Sequence, residues 1–427
     1  MKPTMKAFML ILLSVLFMIP LAMLYFILDS RESDKRSAIH NIERGFGSAQ
    51  MIIFPMIEHS YSYYDKQRKN TQRIWNATLP SKAEAKANLK VETRQYSIYE
   101  TQVYSSEIII KGTMPNYSPP RTIEYDGVIF KYEDSFLKLN ISDSRGIKAL
   151  PELKINGEKY QARLVNNSIS AFLEQTTPRE FEFEYKLALN GTGAIAFVPL
   201  GTESSIALAA NWRHPSFKHI LPDSRNFTAD GFTANWTTID LAQDTITSST
   251  THQRTATYNS FETAYDPFDS MTNAVTVKFI NEIDVYSMVD RSIKYGFLFP
   301  SLTFLIIFTI EALIRRQIHP IQYGFTGFAL VVFFLLLLSL SEHIGFGISY
   351  LAAAAACLSL ISFYTHFAFK SFKITAIFTG FLAFLYMLIY LLLNLNEYAL
   401  LIGSLAVFII LAVAMISTSR HNWYETN

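Results

Sequence analysis

The chain has 427 residues, of which 50% are hydrophobic, and its formal net charge is +1 at pH 7. This near-neutral charge excludes a strong overall attraction to nucleic acid or to anionic lipid, so we expect no nucleic-acid partner. The single cysteine, Cys357, lies in an apolar run, which excludes an internal disulfide. Apolar residues concentrate in about the first 28 and the last roughly 130 positions, whereas the sequence between them is typical of a water-soluble domain.

The first predicted element is a membrane-spanning helix from Ala7 to Leu28. Its length matches the about 20 apolar residues that a helix needs to cross a bilayer. Two lysines, Lys2 and Lys6, precede it, and no A-x-A-like cleavage site follows it. We therefore interpret residues 1–28 as an uncleaved signal anchor. Pro20 predicts a kink that the bilayer tolerates.

A helical stalk is predicted after the anchor. The spacing of Ile39, Ile42 and Phe46, followed by the apolar run Met51–Ile53, is that of one face of a helix. Charged residues cover the other face of the segment Asp29–Tyr64. This segment is therefore expected to be one helix that leads the chain away from the membrane.

From about Lys90 the sequence is typical of a β domain, because short runs of β-branched and aromatic residues alternate with turn residues. Asn190 and Gly191 form an Asn-Gly pair between two such runs, which predicts a hairpin turn. We expect a mostly β, sandwich-like domain with a helical stalk, and a short helix from about Val285. The predicted strands include Val103–Lys111, Val128–Tyr132, Phe136–Ser142, Glu180–Leu189, Ala194–Pro199, Gly231–Thr238 and Asn273–Asp284.

Five further membrane spans are predicted in the C-terminal region. They cover approximately Tyr295–Ile314, Gly324–Leu340, Ile344–Phe363, Ile374–Leu393 and Tyr398–Ile416. With six spans in all, one side of the membrane receives the basic residues Lys2, Lys6, Arg315, Arg316, Lys370, Lys373 and Arg420. The opposite short loops, Ser341–His343 and Asn394–Glu397, carry neither Lys nor Arg.

The positive-inside rule then predicts that both termini are cytoplasmic and that the large domain is not. The expected organisation is a transmembrane anchor over residues 1–28, a periplasmic β-rich domain with its stalk over residues 29–292, and a five-span helical bundle over residues 293–427.

Several motifs resemble those of CreD, a family of bacterial inner-membrane proteins. They are Ser144–Ile147, Trp212–Phe217, Leu221–Pro222, Gly231–Trp236, Arg291–Tyr295, His319–Tyr323, Leu335–Phe346 and Tyr350. Phe54, His219 and Gln243 depart from the residues expected in that family. The resemblance implies a multi-pass cell-envelope integrity protein of the Gram-negative inner membrane. It also implies an association with envelope stress, β-lactam response and colicin tolerance, without a known reaction.

Polar residues at the ends of the predicted spans are the first candidate binding residues. Glu342 and His343 lie at the outer end of the third span, where they could bind a ligand, a cation or a proton. His319 and Gln322 form a similar cluster at the inner end, with a polar turn before a helix as the alternative. Glu311 lies within the second span, and we expect it to pair with Arg315 four residues later.

The periplasmic domain contributes two further candidates, Trp212 and His214. His214 and Ser216 together are compatible with a hydrolase, but Ser216 lacks the G-x-S-x-G turn of a nucleophile elbow, and a buried corner between strands is the alternative. The other histidines are scattered and there is no H-E-x-x-H motif. We therefore expect no metal and no cofactor.

The main functional hypothesis is a non-enzymatic envelope protein whose β domain binds or senses something in the periplasm. Its expected partners are the lipid bilayer and envelope proteins or lipids, and the bundle could oligomerise. A transporter or channel that uses the C-terminal bundle is one alternative, tested by flux that depends on Glu342 or His343. A periplasmic envelope hydrolase is the other, tested by whether His214 and Ser216 converge in an open pocket.

Overall fold

A computed structural model describes residues 3–65, 70–117, 119, 121–125, 128–174, 180–239, 274–279, 285–296, 298–314, 318–395 and 398–418. The chain divides into two compact units. The helical unit consists of Met1–Arg36 and Ile283–Asn427, and the β unit consists of Ser37–Glu282. Membrane-length apolar helices in one unit and sheets in the other confirm the predicted fold class.

The first sheet of the β unit contains nine described strands, in the order β14-β17-β12-β1-β6-β10-β9 with β2 paired to β1 and β5 paired to β6. Strand β1 is parallel to β12 and antiparallel to β6. The strands are β1 (Gln50–Asp65), β2 (Asn70–Thr78), β5 (Thr122–Tyr125), β6 (Val128–Ile141), β9 (Arg163–Val165), β10 (Ser168–Phe172), β12 (Ala194–Val198), β14 (Pro215–His219) and β17 (Val275–Phe279).

The second sheet contains eight described strands, in the order β15-β16-β13-β3-β4-β11-β7-β8. Its central strands are β13, β3, β4 and β11, of which β13 and β3 run parallel. The strands are β3 (Lys82–Tyr96), β4 (Tyr99–Met114), β7 (Glu152–Ile155), β8 (Glu158–Tyr160), β11 (Phe181–Thr192), β13 (Glu203–Ala210), β15 (Ser224–Thr228) and β16 (Gly231–Ile239).

The core of the β unit is formed by side chains from both sheets. Phe197 of the first sheet and Ile110 and Trp236 of the second belong to one cluster of buried residues. Period-two alternation produces it: in β11, Phe181, Phe183 and Tyr185 are buried while the residues between them are less buried. The two inner faces therefore share one core, as the sandwich-like prediction requires.

The predicted stalk is correct only as far as Phe46. Helix α1 (Pro3–Phe46) contains both the anchor and the stalk and continues through Pro20. At Gly47 the φ angle is +94° and its N–H donates to the carbonyl of Glu43, so the helix ends there. The expectation of a helix up to Tyr64 is wrong, because residues from Gln50 onward form β1. The run Met51–Ile53 is buried as a strand in the middle of the first sheet.

The predicted Asn-Gly hairpin is also wrong. Asn190 and Gly191 lie inside β11, where they pair with Ser105 and Tyr104 of β4. The chain turns instead at Gly193, whose φ angle is +73°, and then enters the other sheet as β12. The Cβ of any other residue at Gly191 would lie 2.3 Å from the Tyr104 hydroxyl. This glycine is therefore explained by close packing rather than by a turn.

The helical unit contains six described helices besides α1. Five segments are long and apolar enough to cross a membrane: Phe8–Phe46, Val285–Leu313, Pro320–Ile344, Phe346–Phe369 and Phe372–Asn394. A shorter apolar segment, Leu401–Ile416, lies in the last helix. The helices are α2 (Val285–Tyr295), α3 (Leu298–Ile314), α4 (Pro320–Ile344), α5 (Phe346–Phe369), α6 (Phe372–Asn394) and α7 (Ala399–Thr418).

Candidate functional site

A groove of about 710 Å³ lies on the outward face of the second sheet. Strand register explains its composition. Ala209, Asn88, Glu107 and Ala188 are successive partners on β13, β3, β4 and β11, so they form one row across the sheet. The two alanines give this row a low floor, since their methyl groups leave space above the sheet. Its size is within the range of roughly 300–1,000 Å³ that is typical of small-ligand sites.

A second row lies two residues further along each strand and has the same outward direction. It contains Lys90, Ser105 and Asn190, again as successive partners. Lys148 lines the groove on the β11 side and Asp230 lines it on the β16 side. The groove therefore combines two acidic groups, two basic groups and the amides of Asn88, Asn190 and Asn211 over a floor of small residues.

Asn190 is the most unusual residue of this groove. Only 5% of its surface is exposed, and its side-chain oxygen has no hydrogen-bond partner among the described residues. Its backbone carbonyl, in contrast, accepts a hydrogen bond from Gln50 Nε2 at 3.1 Å. Buried polar atoms in proteins are nearly always paired, so an unpaired one at a groove indicates a position for a ligand or a water molecule.

Polar contacts around Asp143 hold the segment that directly follows α1. The carboxylate of Asp143 accepts hydrogen bonds from Ser48 N at 2.8 Å and from Arg145 Nε at 2.9 Å. Burial alone would raise the pKa of Asp143, but the hydrogen bonds from Arg145 and Ser48 lower it to about 2. Asp143 is thus an anchoring anion, and the segment Ser144–Ile147 owes its conformation to it.

Glu342 is the predicted site residue that the structure places in a polar cluster. Its side chain is 7% exposed. Tyr286 Oη donates to Glu342 Oε1 at 3.0 Å, and Arg31 Nε lies 3.7 Å from the same oxygen. Lys35 lies 5.4 Å from the centroid of the Tyr286 ring. This cluster joins α1, α2 and α4.

The neighbouring candidates lie outside that cluster. His343 is exposed at the end of α4. His319 and Gln322 lie at the other end of the same helix, where they form a capping box: His319 Nδ1 accepts from Ile321 N at 3.3 Å, and Gln322 Oε1 accepts from His319 N at 3.2 Å. These contacts satisfy backbone N–H groups at the start of the helix, so the structure gives His319 and Gln322 a helix-ending geometry.

A second buried polar cluster involves Glu311, for which Arg315 was the predicted partner. Arg315 lies outside the described residues. Lys6 of α1 donates to Glu311 Oε1 and, at 2.8 Å, to the carbonyl of Ile318. Tyr323 Oη donates to the other carboxylate oxygen of Glu311 at 2.7 Å. Both oxygens of this buried carboxylate are therefore paired.

Trp212 and His214 lie together before β14, at the edge of the first sheet. Trp212 Nε1 donates to the carbonyl of His214 at 3.2 Å, and the His214 side chain is exposed. Ser216 is half-buried in β14, where its backbone pairs with Lys278. The groove on the second sheet contains neither His214 nor Ser216.

Two comparisons of sequence identify the family. The family model described as "Inner membrane protein CreD" matches residues 2–424. The chain belongs to the CreD family. Inner membrane protein CreD from Escherichia coli (strain K12) is 28% identical over 426 residues, which cover 96% of this chain and 91% of that protein. The family description names a membrane protein and no reaction.

Solved structures offer only a weak likeness to this CreD-family chain. Two crystal structures of an M1 zinc metallopeptidase from Deinococcus radiodurans give TM-scores of 0.22 and 0.20 at 7% and 6% identity. In both, the match covers 37% of this chain and 38% of the peptidase chain. Likenesses at this level assign neither fold nor activity. Among the residues that the structure describes, no group of three His, Cys, Asp or Glu side chains could hold a metal ion.

At one departure from the CreD pattern, the backbone conformation favours the residue that is expected in the family. His219, where a glycine is expected in the family, has a φ angle of +62°. This left-handed conformation suits glycine and is uncommon for other residues.

The groove is the part of the candidate site that sequence reasoning missed. Its two rows combine the consecutive strands β3 and β4 with β11 and β13, which come much later in the chain, and no motif marks them. The one available signal was the small-residue pattern on the outward face of β13, which carries Ser205, Ala207 and Ala209.

Proposed function

We propose that this chain is a non-enzymatic envelope protein of the bacterial inner membrane whose β unit binds a periplasmic ligand in the groove of the second sheet. The observation that carries the proposal is the unpaired, buried oxygen of Asn190 in a groove of about 710 Å³. An unpaired buried oxygen costs free energy in the unliganded protein. A ligand that donates a hydrogen bond there would recover that energy.

The orientation follows from the distribution of basic residues. Lys6 precedes the first span, Lys370 lies between α5 and α6, and Lys373 lies in the first turn of α6. These residues would be cytoplasmic under the positive-inside rule. We propose accordingly that both termini are cytoplasmic, that residues 29–292 are periplasmic, and that residues 293–427 form a bundle of five spans with α7 as the last.

Cysteine labelling tests this orientation. In a Cys357→Ala background, Asn226→Cys is placed on the exposed strand β15 and Lys373→Cys on the exposed start of α6. A membrane-impermeant maleimide added to spheroplasts is expected to label Asn226→Cys, whereas Lys373→Cys is labelled only after the membrane is permeabilised. The reverse pattern would overturn the proposed topology.

Filling the groove tests the binding function. Ala209→Trp puts a large side chain on the floor of the groove, and Ser205→Trp puts the same side chain on the outward face of β13 outside the groove. In cells that lack the chain and are under envelope stress, Ala209→Trp is expected to fail to complement, while Ser205→Trp complements. Full complementation by Ala209→Trp, at normal membrane levels, would contradict a function based on the groove.

The non-enzymatic part of the proposal has its own test. Purified full-length protein is incubated with membrane lipids and with cell-wall fragments, and products are followed by mass spectrometry. No turnover is expected. Turnover that a single substitution abolishes would show that the protein is an enzyme.

A further inference from the structure

We infer that the groove binds a short peptide that has a free, positively charged amino terminus. This inference rests on the proposed function, because it names the ligand class of the same groove. It is carried by three acceptors in one groove: the unpaired oxygen of Asn190 and the carboxylates of Glu107 and Asp230.

The charges on the outward face of the second sheet are only partly paired. Four carboxylates there have a basic partner, whereas Glu152 and Glu182 on the same face have none among the described residues. The pairs are Glu84–Lys86 at 3.0 Å, Glu92–Lys90 at 3.2 Å, Glu184–Lys111 at 2.7 Å and Glu203–Lys82 at 3.5 Å. Across the part of the chain that the structure describes, neither Glu107 nor Asp230 has an ion-pair partner. The groove therefore contains two carboxylates that are available to a cationic ligand, in the same groove as the unpaired oxygen of Asn190.

The two basic residues that line the groove already have partners. Lys90 is engaged with Glu92, and the Lys148 ammonium lies 5.8 Å from the centroid of the Phe46 ring. Both are exposed at the margin of the groove. Their partners reduce the attraction of the groove for an anion, so a ligand that brings a positive charge and N–H donors suits it better.

The polar side chains of the groove favour a peptide over other cationic ligands. Asn88 and Ser105 are exposed in the two rows and supply an amide and a hydroxyl, which can pair with the N–H and C=O groups of a peptide backbone. Among the lining residues the aromatic one is Phe232, which is 2% exposed and belongs to the core. Among the described residues, the groove thus presents no ring face on which a sugar could stack. The alanine floor leaves room above the sheet for the backbone of a bound peptide.

The test uses the purified full-length chain in lipid nanodiscs and isothermal titration calorimetry. Four probes separate the features of the ligand: tri-alanine with free termini, N-acetyl-tri-alanine, spermidine, and the trimer of N-acetylglucosamine. Tri-alanine is expected to bind, and N-acetylation is expected to weaken its binding at least tenfold because it removes the ammonium group. Spermidine and the sugar trimer are expected to bind at least tenfold more weakly than tri-alanine.

Matched variants locate the site. Glu107→Gln removes one of the available carboxylates, and Asp230→Asn removes the other; each is expected to weaken tri-alanine binding about tenfold. Glu100→Gln makes the same change on an exposed residue of β4 outside the groove and is expected to leave the affinity unchanged. Both target residues are exposed, so loss of folding does not complicate the comparison.

Two outcomes would overturn the inference: tri-alanine does not bind, or it binds equally well to Glu107→Gln and to the native chain. If spermidine or the sugar trimer binds instead and loses affinity in Glu107→Gln, the peptide class is wrong and the proposed binding function stands. If Ala209→Trp complements fully in cells although tri-alanine binds in vitro, the proposed function fails while the ligand preference stands.

Discussion

Lys6 of helix α1 and Glu311 of helix α3 form a buried ion pair across 305 positions of sequence. Their side chains are 7% and 10% exposed. Tyr323 and the carbonyl of Ile318 complete the hydrogen bonding of the two charges. Such a pair holds two helices in one arrangement, because separating the charges in a medium of low dielectric constant is costly.

Breaking this pair from one side should therefore destabilise the helical unit. Glu311→Gln removes the negative charge and leaves the Lys6 ammonium buried, which costs roughly 3–5 kcal/mol in buried pairs of soluble proteins. The expected result is a lower midpoint of thermal unfolding for the purified chain in detergent. The double variant Lys6→Met with Glu311→Leu removes both charges and is expected to recover most of that loss. An unchanged midpoint in Glu311→Gln would contradict a stabilising pair.

Close packing of α1 on α4 gives a second prediction. The Cβ of Ala at Gly327 would lie 2.3 Å from Cε2 of Phe17, which is 3% exposed and packs edge-on against Phe328. Gly327→Ala is expected to destabilise the chain by about 1–3 kcal/mol, since the buried ring must move.

Gly324, one turn earlier on α4, is the matched control for Gly327. A Cβ at Gly324 meets nothing within 4 Å. Gly324→Ala is expected to leave the thermal midpoint unchanged or to raise it slightly through better helix propensity. Equal effects of the two substitutions would show that the contact with Phe17 is not tight.

The burial of His59 predicts that the stability of the β unit depends on pH. Its ring nitrogens lie 2.6 Å from Ser135 Oγ and 2.9 Å from Thr78 Oγ1, and burial lowers the pKa of His59 from 6.5 to about 4. The folded state thus favours neutral His59, while the unfolded chain takes up a proton below pH 6.5. Stability from this group is present above pH 6.5 and is lost as the pH falls toward 4.

Between pH 7 and pH 5 the loss is expected to be roughly 2 kcal/mol of unfolding free energy. Denaturant unfolding of the full chain measures it, followed by tryptophan fluorescence from Trp75, Trp212 and Trp236 of the β unit. His59→Gln should show a shallower pH dependence over this interval. His40→Gln, whose side chain is 63% exposed, should retain the native slope; equal slopes for all three proteins would exclude the role of His59.

Substitutions of the two neighbouring candidates Glu342 and His343 should differ sharply in their effect on stability. Glu342→Leu removes the acceptor of the Tyr286 hydroxyl and the charge near Arg31, with an expected loss of about 1–3 kcal/mol. His343→Leu changes an exposed residue and is expected to alter stability by less than about 0.5 kcal/mol. Thermal unfolding in detergent compares them. A larger effect at His343 would contradict the assignment of Glu342 to the cluster.

Much of the fold could be predicted because its signals are local. Mean hydropathy over a window the length of a membrane predicts the spans, and period-two alternation predicts strands such as β11. The short helix from Val285 was predicted in the same way and is confirmed as α2. The expectation of a helix over Met51–Ile53 failed for a related reason: a short apolar run fits a buried strand as well as a helix face, and only neighbouring strands distinguish the two.

The candidate site was harder to predict than the fold, because it is formed by pairing between distant segments of the chain. Asn190 was predicted to lie in a turn, whereas pairing with Ser105 places it inside a strand and at a groove. Sequence spacing offered Arg315 as a partner of Glu311, and the structure adds Lys6 from near the other end of the chain. Local spacing contains no information about either relationship.

Composition and spacing over a few tens of residues therefore sufficed to predict the membrane helices, the β character of the middle region and the CreD resemblance. The pairing of Glu311 with Lys6, and the meeting of Asn88, Glu107 and Asn190 at one groove, became known from the folded chain alone. The physical reason is that strand register and helix packing are chosen by burial summed over the whole unit, which brings together charges and polar groups that no local pattern connects.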